Sequence, residues 1–188
     1  MNRSLRRLIY CKQLHTGLRA GLFFGLLTVL NGATAQSASL PLGEPVNFTV
    51  SELAAFKDNS IILTNGSAWQ TNMQQLGLPG TRVLISGRNL RSGTNELQLH
   101  GFTFTARHQA GEFKGQKGYK HLLLAVQADG RRLLLSENLT AFVLDSDRLH
   151  TRNWAANNTV ILSDDLRSLV YLPSLTTVTV QLTRTTLP

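Results

Sequence analysis

The chain is poor in several things at once. It has one cysteine, Cys11, two methionines and two tryptophans, and aromatic residues make up only 7% of its 188 positions. A single thiol rules out an internal disulfide framework and a thiolate zinc centre, both of which need several cysteines. Acids are scarce as well, 11 against 19 basic residues, for a formal net charge of +8. No apolar run is long enough to cross a bilayer as a helix, which takes about 20 residues. The longest, Ala20 to Leu30, has eleven.

That run sits in a recognisable context. Arg3, Arg6, Arg7, Lys12 and Arg19 precede or flank it with no acid among them, and Ala33-Thr34-Ala35 follows it. A basic stretch, a short apolar stretch and small residues at −3 and −1 are the pattern of a cleavable secretory leader. Residues 1–35 are therefore expected to be a signal peptide, cleaved near Ala35-Gln36, with the mature chain periplasmic or extracellular. Cleavage would leave 14 basic residues against 11 acids, a net charge of +3, over 153 residues without cysteine. The basicity of the whole chain is then mostly targeting chemistry, and stability must come from burial and strand pairing.

The mature part reads as all-β. Thr177 to Leu182 alternates, with Val178, Val180 and Leu182 on one face. Val83 and Ile85 alternate with Arg82, Leu84 and Ser86; Leu97 and Leu99 alternate with Glu96, Gln98 and His100; Phe102 and Phe104 alternate with Thr103 and Thr105. Successive strand side chains point to opposite faces, so each pattern predicts one buried face. Only Ser51–Lys57 and Ser163–Leu169 suggest a helical turn. Asn65-Gly66 predicts a type I′ hairpin, because both residues accept positive φ. Asp129-Gly130 predicts a second hairpin, and Pro79-Gly80 and Ser92-Gly93 two further turns.

One unit is expected to occur twice. Ile61 to Thr64 overlays Leu133 to Ser136, Trp69 falls near Phe142, and Gly80 to Ser86 overlays Asn157 to Ser163. Leu97–Leu99 and Phe102–Phe104 then correspond to Val170–Leu172 and Val178–Val180. The domain reading is a first β unit over 46–106, a Gly/Lys-rich linker over 107–120 and a second β unit over 121–184.

Ile62-Leu63-Thr64-Asn65-Gly66-Ser67-Ala68-Trp69, followed by the strand Gly80–Ile85, resembles the hairpin and next strand of small SH3-like barrels in exported bacterial proteins. That resemblance implies two tandem SH3-like barrels. The second half departs from it, with Glu137-Asn138-Leu139 in place of Asn-Gly-Ser and Phe142 in place of the tryptophan. The segment Gly77 to Leu90 is also similar to the opening of Ig-like TIG domains, which would imply one β-sandwich instead.

Catalytic and metal signatures are absent from the sequence. His100, His108, His121 and His150 have no partner at metal-ligand spacing. Asp145 and Asp147, and the pair Asp164-Asp165, lack a calcium-loop pattern, and Asp164-Asp165 is expected to cap a turn through the N–H groups of Leu166 and Arg167. There is no nucleophile elbow and no phosphate-binding glycine loop. No cofactor is expected. Asn47, Asn65, Asn138 and Asn157 head N-x-S/T triplets, which are glycosylation acceptors in a eukaryotic secretory route.

The most distinctive stretch is Ala106 to His121, in which Arg107, Lys114, Lys117 and Lys120 are offset by Glu112 alone, with Phe113 and Tyr119 between them. Cations with interleaved aromatics suit contact with a polyanion. The candidate binding residues are Arg107, Lys114, Lys117, Lys120, Arg131 and Arg132. The leading expectation is a non-enzymatic exported binding module, its partner an anionic cell-envelope polymer or a protein docking on a sheet edge. The alternatives are a structural or adhesive surface component, and an enzyme that assembles its site from distant residues such as His100, His121 and Asp145.

Overall fold

The computed structural model describes residues 43–74 and 77–184. The expected leader, its cleavage site and Cys11 lie outside the described residues. Twelve strands and one short helix follow one another: β1 (Glu44–Lys57), β2 (Ser60–Leu63), β3 (Ala68–Thr71), β4 (Arg82–Gly87), β5 (Asn95–Leu99), β6 (Phe102–Ala110), β7 (Gln116–Gln127), β8 (Arg132–Leu135), β9 (Leu139–Val143), α1 (Arg148–Thr151), β10 (Thr159–Ser163), β11 (Ser168–Tyr171) and β12 (Thr176–Arg184).

The protein is all-β, and its strands close into two rings. The first runs β1–β2–β3–β6–β5–β4 and returns to β1. The second runs β7–β8–β9–β12–β11–β10 and returns to β7. Every pairing is antiparallel and the two orders are identical, as tandem SH3-like barrels require. The sandwich implied by the TIG-like segment does not form: Gly77 to Leu90 supplies a loop and β4, one stave of the first barrel. Each strand has at least two partner strands, but the pairing is partial: Arg107 to Ala110 of β6 pair with β3 alone, and Val180 to Arg184 of β12 with β9 alone.

β1 and β7 are long because each serves two purposes. The first half of each joins the barrels, with Glu44 to Phe48 running antiparallel to Gln116 to Lys120. The second half of each starts its own barrel's hairpin, Leu53 opposite Leu63 and Leu123 opposite Leu135. Both strands bulge at the same place, between Leu53 and Ala55 and between Leu123 and Ala125. The bulge accounts for the helical turn expected over Ser51–Lys57. An extra residue puts the core-facing Leu53 and Phe56 three positions apart, a helical spacing within a strand. The other expected turn, Ser163–Leu169, is the bend from β10 to β11. Leu166 at φ 60 ends any helical continuation there.

The duplication holds residue by residue through most of the chain. β2 aligns with β8, and Gly80 to Ser86 with Asn157 to Ser163, as expected: Ser86 lies opposite Phe48 and Ser163 opposite Gly118, the same place on β1 and β7. Three correspondences shift. Leu97 faces Ile85 while Leu169 faces Leu162, so the counterpart of Leu97 is Leu169, one residue earlier than expected. Phe104 faces Leu97 and Val178 faces Leu169, so Phe104 rather than Phe102 matches Val178. Trp69 lies opposite Ile61 and Ala141 opposite Leu133, so the counterpart of Trp69 is the core residue Ala141. Phe142 points outward and is 43% exposed. A shift of one residue exchanges the two faces of a strand, which is why an aromatic match in sequence is not a match in space.

Three cores result. Trp69 and Leu53, Ile61, Leu63, Val83, Ile85, Leu97 and Leu99 fill the first barrel. The second barrel is filled by Leu123, Leu133, Leu135, Leu139, Val160, Leu162 and Leu169, with Trp154 supplied by the loop after α1. Trp154 stacks on Tyr171 at 4.5 Å and 9°. The third core lies between the barrels and joins Val46, Phe48 and Leu84 to Ile161, Val170, Leu172 and Leu175. Leu84 and Ile161 are each 0% exposed although they sit on the outer face of their own barrel. Burying an aliphatic side chain of this size stabilises by about 1.5–3 kcal/mol, so these residues hold the two barrels together.

The Asn-Gly hairpin also forms differently from expectation. Gly66 N–H donates to the Leu63 carbonyl at 2.9 Å, so Thr64 and Asn65 are the central residues, and Gly66 follows at φ 85. The type I′ geometry occurs instead at Asp58-Asn59 and at Glu137-Asn138, with φ of 52° and 59° and of 60° and 56°. The Asn-Gly-Ser-x-Trp spacing has its own physical basis. Ser67 donates through its N–H and its hydroxyl to Asn65 Oδ1, and Trp69 Nε1–H donates to Ser67 Oγ at 2.9 Å. The turn thereby orients the tryptophan.

Candidate functional site

Of the stretch expected as a basic linker, only residues 111–115 lie outside strands. Arg107 belongs to β6, and Lys117 and Lys120 to β7. The six candidate cations do not form one patch. Arg107 borders a hollow of about 340 Å³ on the first barrel with Gln70, Asn72 and Thr105. Lys114 is exposed in the connecting loop, where its carbonyl accepts from Thr49 Oγ1 at 3.2 Å. Lys120 Nζ is paired with Glu96 Oε2 at 2.7 Å. Arg131 Nε lies 3.4 Å from Asp145 Oδ1. Arg132 packs its guanidinium 6.0 Å from the ring of Phe142 on the outside of the second barrel. Lys117 and Lys120 are three residues apart on one strand, so they point to opposite faces.

Lys117 and Lys120 line separate hollows, Lys120 one of about 180 Å³ with Glu44, Arg88 and Glu96. Where β1 and β7 pair, a groove of about 700 Å³ opens between the barrels, lined by Glu44 to Asn47, Lys117 to Tyr119, Arg88 and Asp164. Arg88 follows the last residue of β4 and Asp164 the last residue of β10. The Asn47 side-chain amide donates to the Arg88 carbonyl and so anchors the β4–β5 loop. Asp164 N–H donates to the Lys117 carbonyl at 3.0 Å. A neighbouring hollow of about 450 Å³ shares Asn47, Arg88 and Lys117 and adds Arg91 and Phe113. Arg91 lies 5.0 Å above the Phe113 ring and binds Glu112 Oε2 at 2.7 Å. That hydrogen bond, and then the Arg91 charge, hold the Glu112 carboxyl below its ordinary pKa.

Arg88 and Arg91 carried no signal in sequence, because they stand in a short loop far along the chain from Lys117. Only strand register brings them together. The expected cap forms in part: Asp165 Oδ1 accepts from Arg167 N–H at 3.0 Å and from the Ser163 hydroxyl, whereas Leu166 N–H donates to the Ser163 carbonyl at 2.9 Å, and the Ser163 hydroxyl bond comes first in lowering the Asp165 carboxyl pKa.

The three residues named for a distributed catalytic site stay apart in their contacts. His100 occupies the β5–β6 turn at φ 49. Asp145 is held by Arg131. His121 is 2% exposed, accepts at Nε2 from Gly43 N–H at 3.3 Å, and faces Ser136 Oγ with Nδ1 at 3.3 Å. Among the described residues no three His, Cys, Asp or Glu side chains stand close enough to share a metal ion, and no helix is long and apolar enough to cross a membrane. Comparison with family models, with characterised proteins and with solved structures finds no match for this chain.

Proposed function

We propose that the protein is a non-catalytic binding module that works outside the cytoplasm and seats an anionic ligand in the groove between its barrels. The observation that carries this reading is the convergence of Arg88 and Lys117 on one groove, with Arg91 and Phe113 in the adjoining hollow. Neither Arg88 nor Lys117 takes part in the ion pairs recorded among the described residues, which are Arg91–Glu112, Lys120–Glu96, Arg131–Asp145 and Arg148–Asp129. Their charges are free for a partner. The basic leader with its apolar run supports export, and the lack of cysteine in the remaining chain suits any redox environment.

Retention on an anionic matrix tests the proposal. The purified protein should be held at low salt and released as salt screens the contacts. Replacing Arg88 and Lys117 together by Gln should abolish retention, whereas Lys120→Gln and Arg131→Gln, which remove cations already paired, should change it little. Equal losses from both sets would indicate only a diffuse surface charge.

A second reading, a structural component that self-associates, has one observation in its favour. On the outside of the second barrel Leu122, Leu124 and Phe142 are 40%, 49% and 43% exposed. The same positions of the first barrel hold Glu52, Ala54 and Gln70. The fold thus does not demand apolar residues there. Sedimentation of the protein and of a Leu124→Ser/Phe142→Ser variant distinguishes the readings, since an assembly through this face would dissociate in the variant.

A further inference from the structure

The groove between the barrels holds charges of both signs. Asp164 lines it with Arg88 and Lys117, whereas Glu44, opposite Lys120 in the β1–β7 pairing, turns its side chain to the other face of that ribbon. The Arg88, Lys117 and Asp164 side chains are exposed, and none appears in the four ion pairs recorded among the described residues. Two cations and one carboxylate therefore share one cavity without a recorded ion pair between them. The carboxylate of Asp164 is no requirement of the fold. Asp164 follows Ser163 beside Lys117, and the same place in the first unit, beside Asn47, is taken by Gly87. A ligand carrying only negative charge would meet attraction from Arg88 and Lys117 and repulsion from Asp164. Like charges brought together oppose binding as directly as opposite charges favour it.

We infer that the cavity binds a small zwitterion, a group in which an ammonium stands next to a phosphate or other oxyanion. This rests on the binding-module reading and narrows its ligand. The oxyanion is placed toward Arg88 and Lys117, and the ammonium toward Asp164. Exposed pairs of this kind each contribute little, so affinity depends on engaging both ends at once, and the preference for the joined group over its halves is the signature.

Titration of the purified protein with O-phosphoethanolamine, inorganic phosphate and ethanolamine, followed by backbone amide shifts, tests the inference. The zwitterion should bind at least tenfold more tightly than either half. Asp164→Asn should remove that preference while leaving retention on an anionic matrix unchanged or stronger, and Arg88→Gln/Lys117→Gln should remove both. Co-sedimentation with vesicles containing phosphatidylethanolamine separates a lipid headgroup from a soluble ligand, and binding in either form supports the inference. Inorganic phosphate binding as tightly as the zwitterion, or a preference that survives the loss of the Asp164 carboxylate, overturns it and leaves the anion-binding reading standing. Failure to bind the zwitterion, the phosphate or the anionic matrix overturns both.

Discussion

Asn47 lies opposite Lys117 where β1 pairs with β7, and the two are the same position of the repeated unit. Val46 faces Gly118 and Phe48 faces Gln116, so exchanging the units reproduces the pairing. A local two-fold axis thus passes between Asn47 and Lys117, and the candidate groove opens on it. The groove is a product of the duplication, since neither barrel alone lines it. Its charges break the symmetry: the axis relates a neutral amide to a lysine.

The junction predicts a site of strict size limits. Phe48 and Gly118 occupy equivalent positions, and only one of them has a side chain. A Cβ built on Gly118 would stand 2.5 Å from the Leu162 carbonyl oxygen, 2.9 Å from Ile161 Cγ2 and 3.1 Å from Phe48 Cε1. The first of these is backbone, which cannot rotate away. Gly118→Ala should cost about 1–3 kcal/mol, the range for overpacking a filled core. Denaturant unfolding would show it as a lower midpoint. Gly115→Ala, a few residues earlier, has its nearest neighbour, Leu90 Cδ1, at an ordinary 3.7 Å and should be nearly neutral.

The two aromatic residues that sequence places on one another should respond in opposite ways. Trp69 is 0% exposed and its indole N–H is bound by Ser67. Trp69→Ala should destabilise by about 3–5 kcal/mol, as large-to-small core changes do, with Trp154 left as the fluorescent reporter of unfolding. Phe142 is 43% exposed on the outer face, and Phe142→Thr should stay within about 0.5 kcal/mol of the parent. Equal effects would mean that the register assigned to β9 is wrong.

Legibility in the sequence followed the range of the forces involved. β4 and β10 align without error because Val83 and Ile85, and Val160 and Leu162, alternate within one strand and end at the same serine. The hairpin β7–β8 was readable from Asp129-Gly130, where the turn chemistry is local. Leu84 was assigned to a polar face with Arg82 and Ser86, yet it is fully buried, because the opposite barrel covers it. Nothing within β4 reports that contact. The candidate site was half legible for the same reason. The charge of Lys117 stands out along the chain, but its neighbours Arg88 and Asp164 are set by register between distant strands, and Lys120 and Arg131 are already committed to Glu96 and Asp145.

Corresponding loops of the two barrels offer a matched test of turn strain. Between β2 and β3 the left-handed position is filled by Gly66 at φ 85. Between β8 and β9 the equivalent residues, Glu137 and Asn138, both have positive φ, and Glu137 carries the larger steric penalty. Replacing Glu137-Asn138 by Asn-Gly should raise stability by about 1 kcal/mol. Gly66→Ala should lower it by about the same amount, although no atom lies within 4 Å of the added carbon, because the cost is in the backbone conformation. Thermal unfolding of the two variants should shift in opposite directions.

His121 gives the protein a pH dependence that the first barrel lacks. At the corresponding place Ser51 Oγ meets Thr64 Oγ1 at 3.2 Å, with no titrating group in the pair. In the second barrel the His121 ring accepts from Gly43 N–H at Nε2, so Nδ1 carries the proton and donates to Ser136 Oγ, which also accepts from Leu122 N–H at 3.1 Å. A second proton on the ring would occupy Nε2, end the Gly43 bond and place a charge in a buried site. Desolvation accordingly holds the His121 pKa below its ordinary value, against the opposing pull of the Glu137 charge and of the Ser136 backbone. Below the unfolded-state value of about 6.5 the unfolded chain binds a proton that the folded chain does not, so stability rises with pH through this window. Full stability is expected above about pH 7, with progressive loss as pH falls through 6.5 toward the folded pKa. His121→Gln, which cannot titrate and keeps an acceptor for Gly43, should flatten the slope between pH 7 and 5. A parent whose unfolding midpoint is constant over that range would show that the ring accepts its second proton in the fold without penalty.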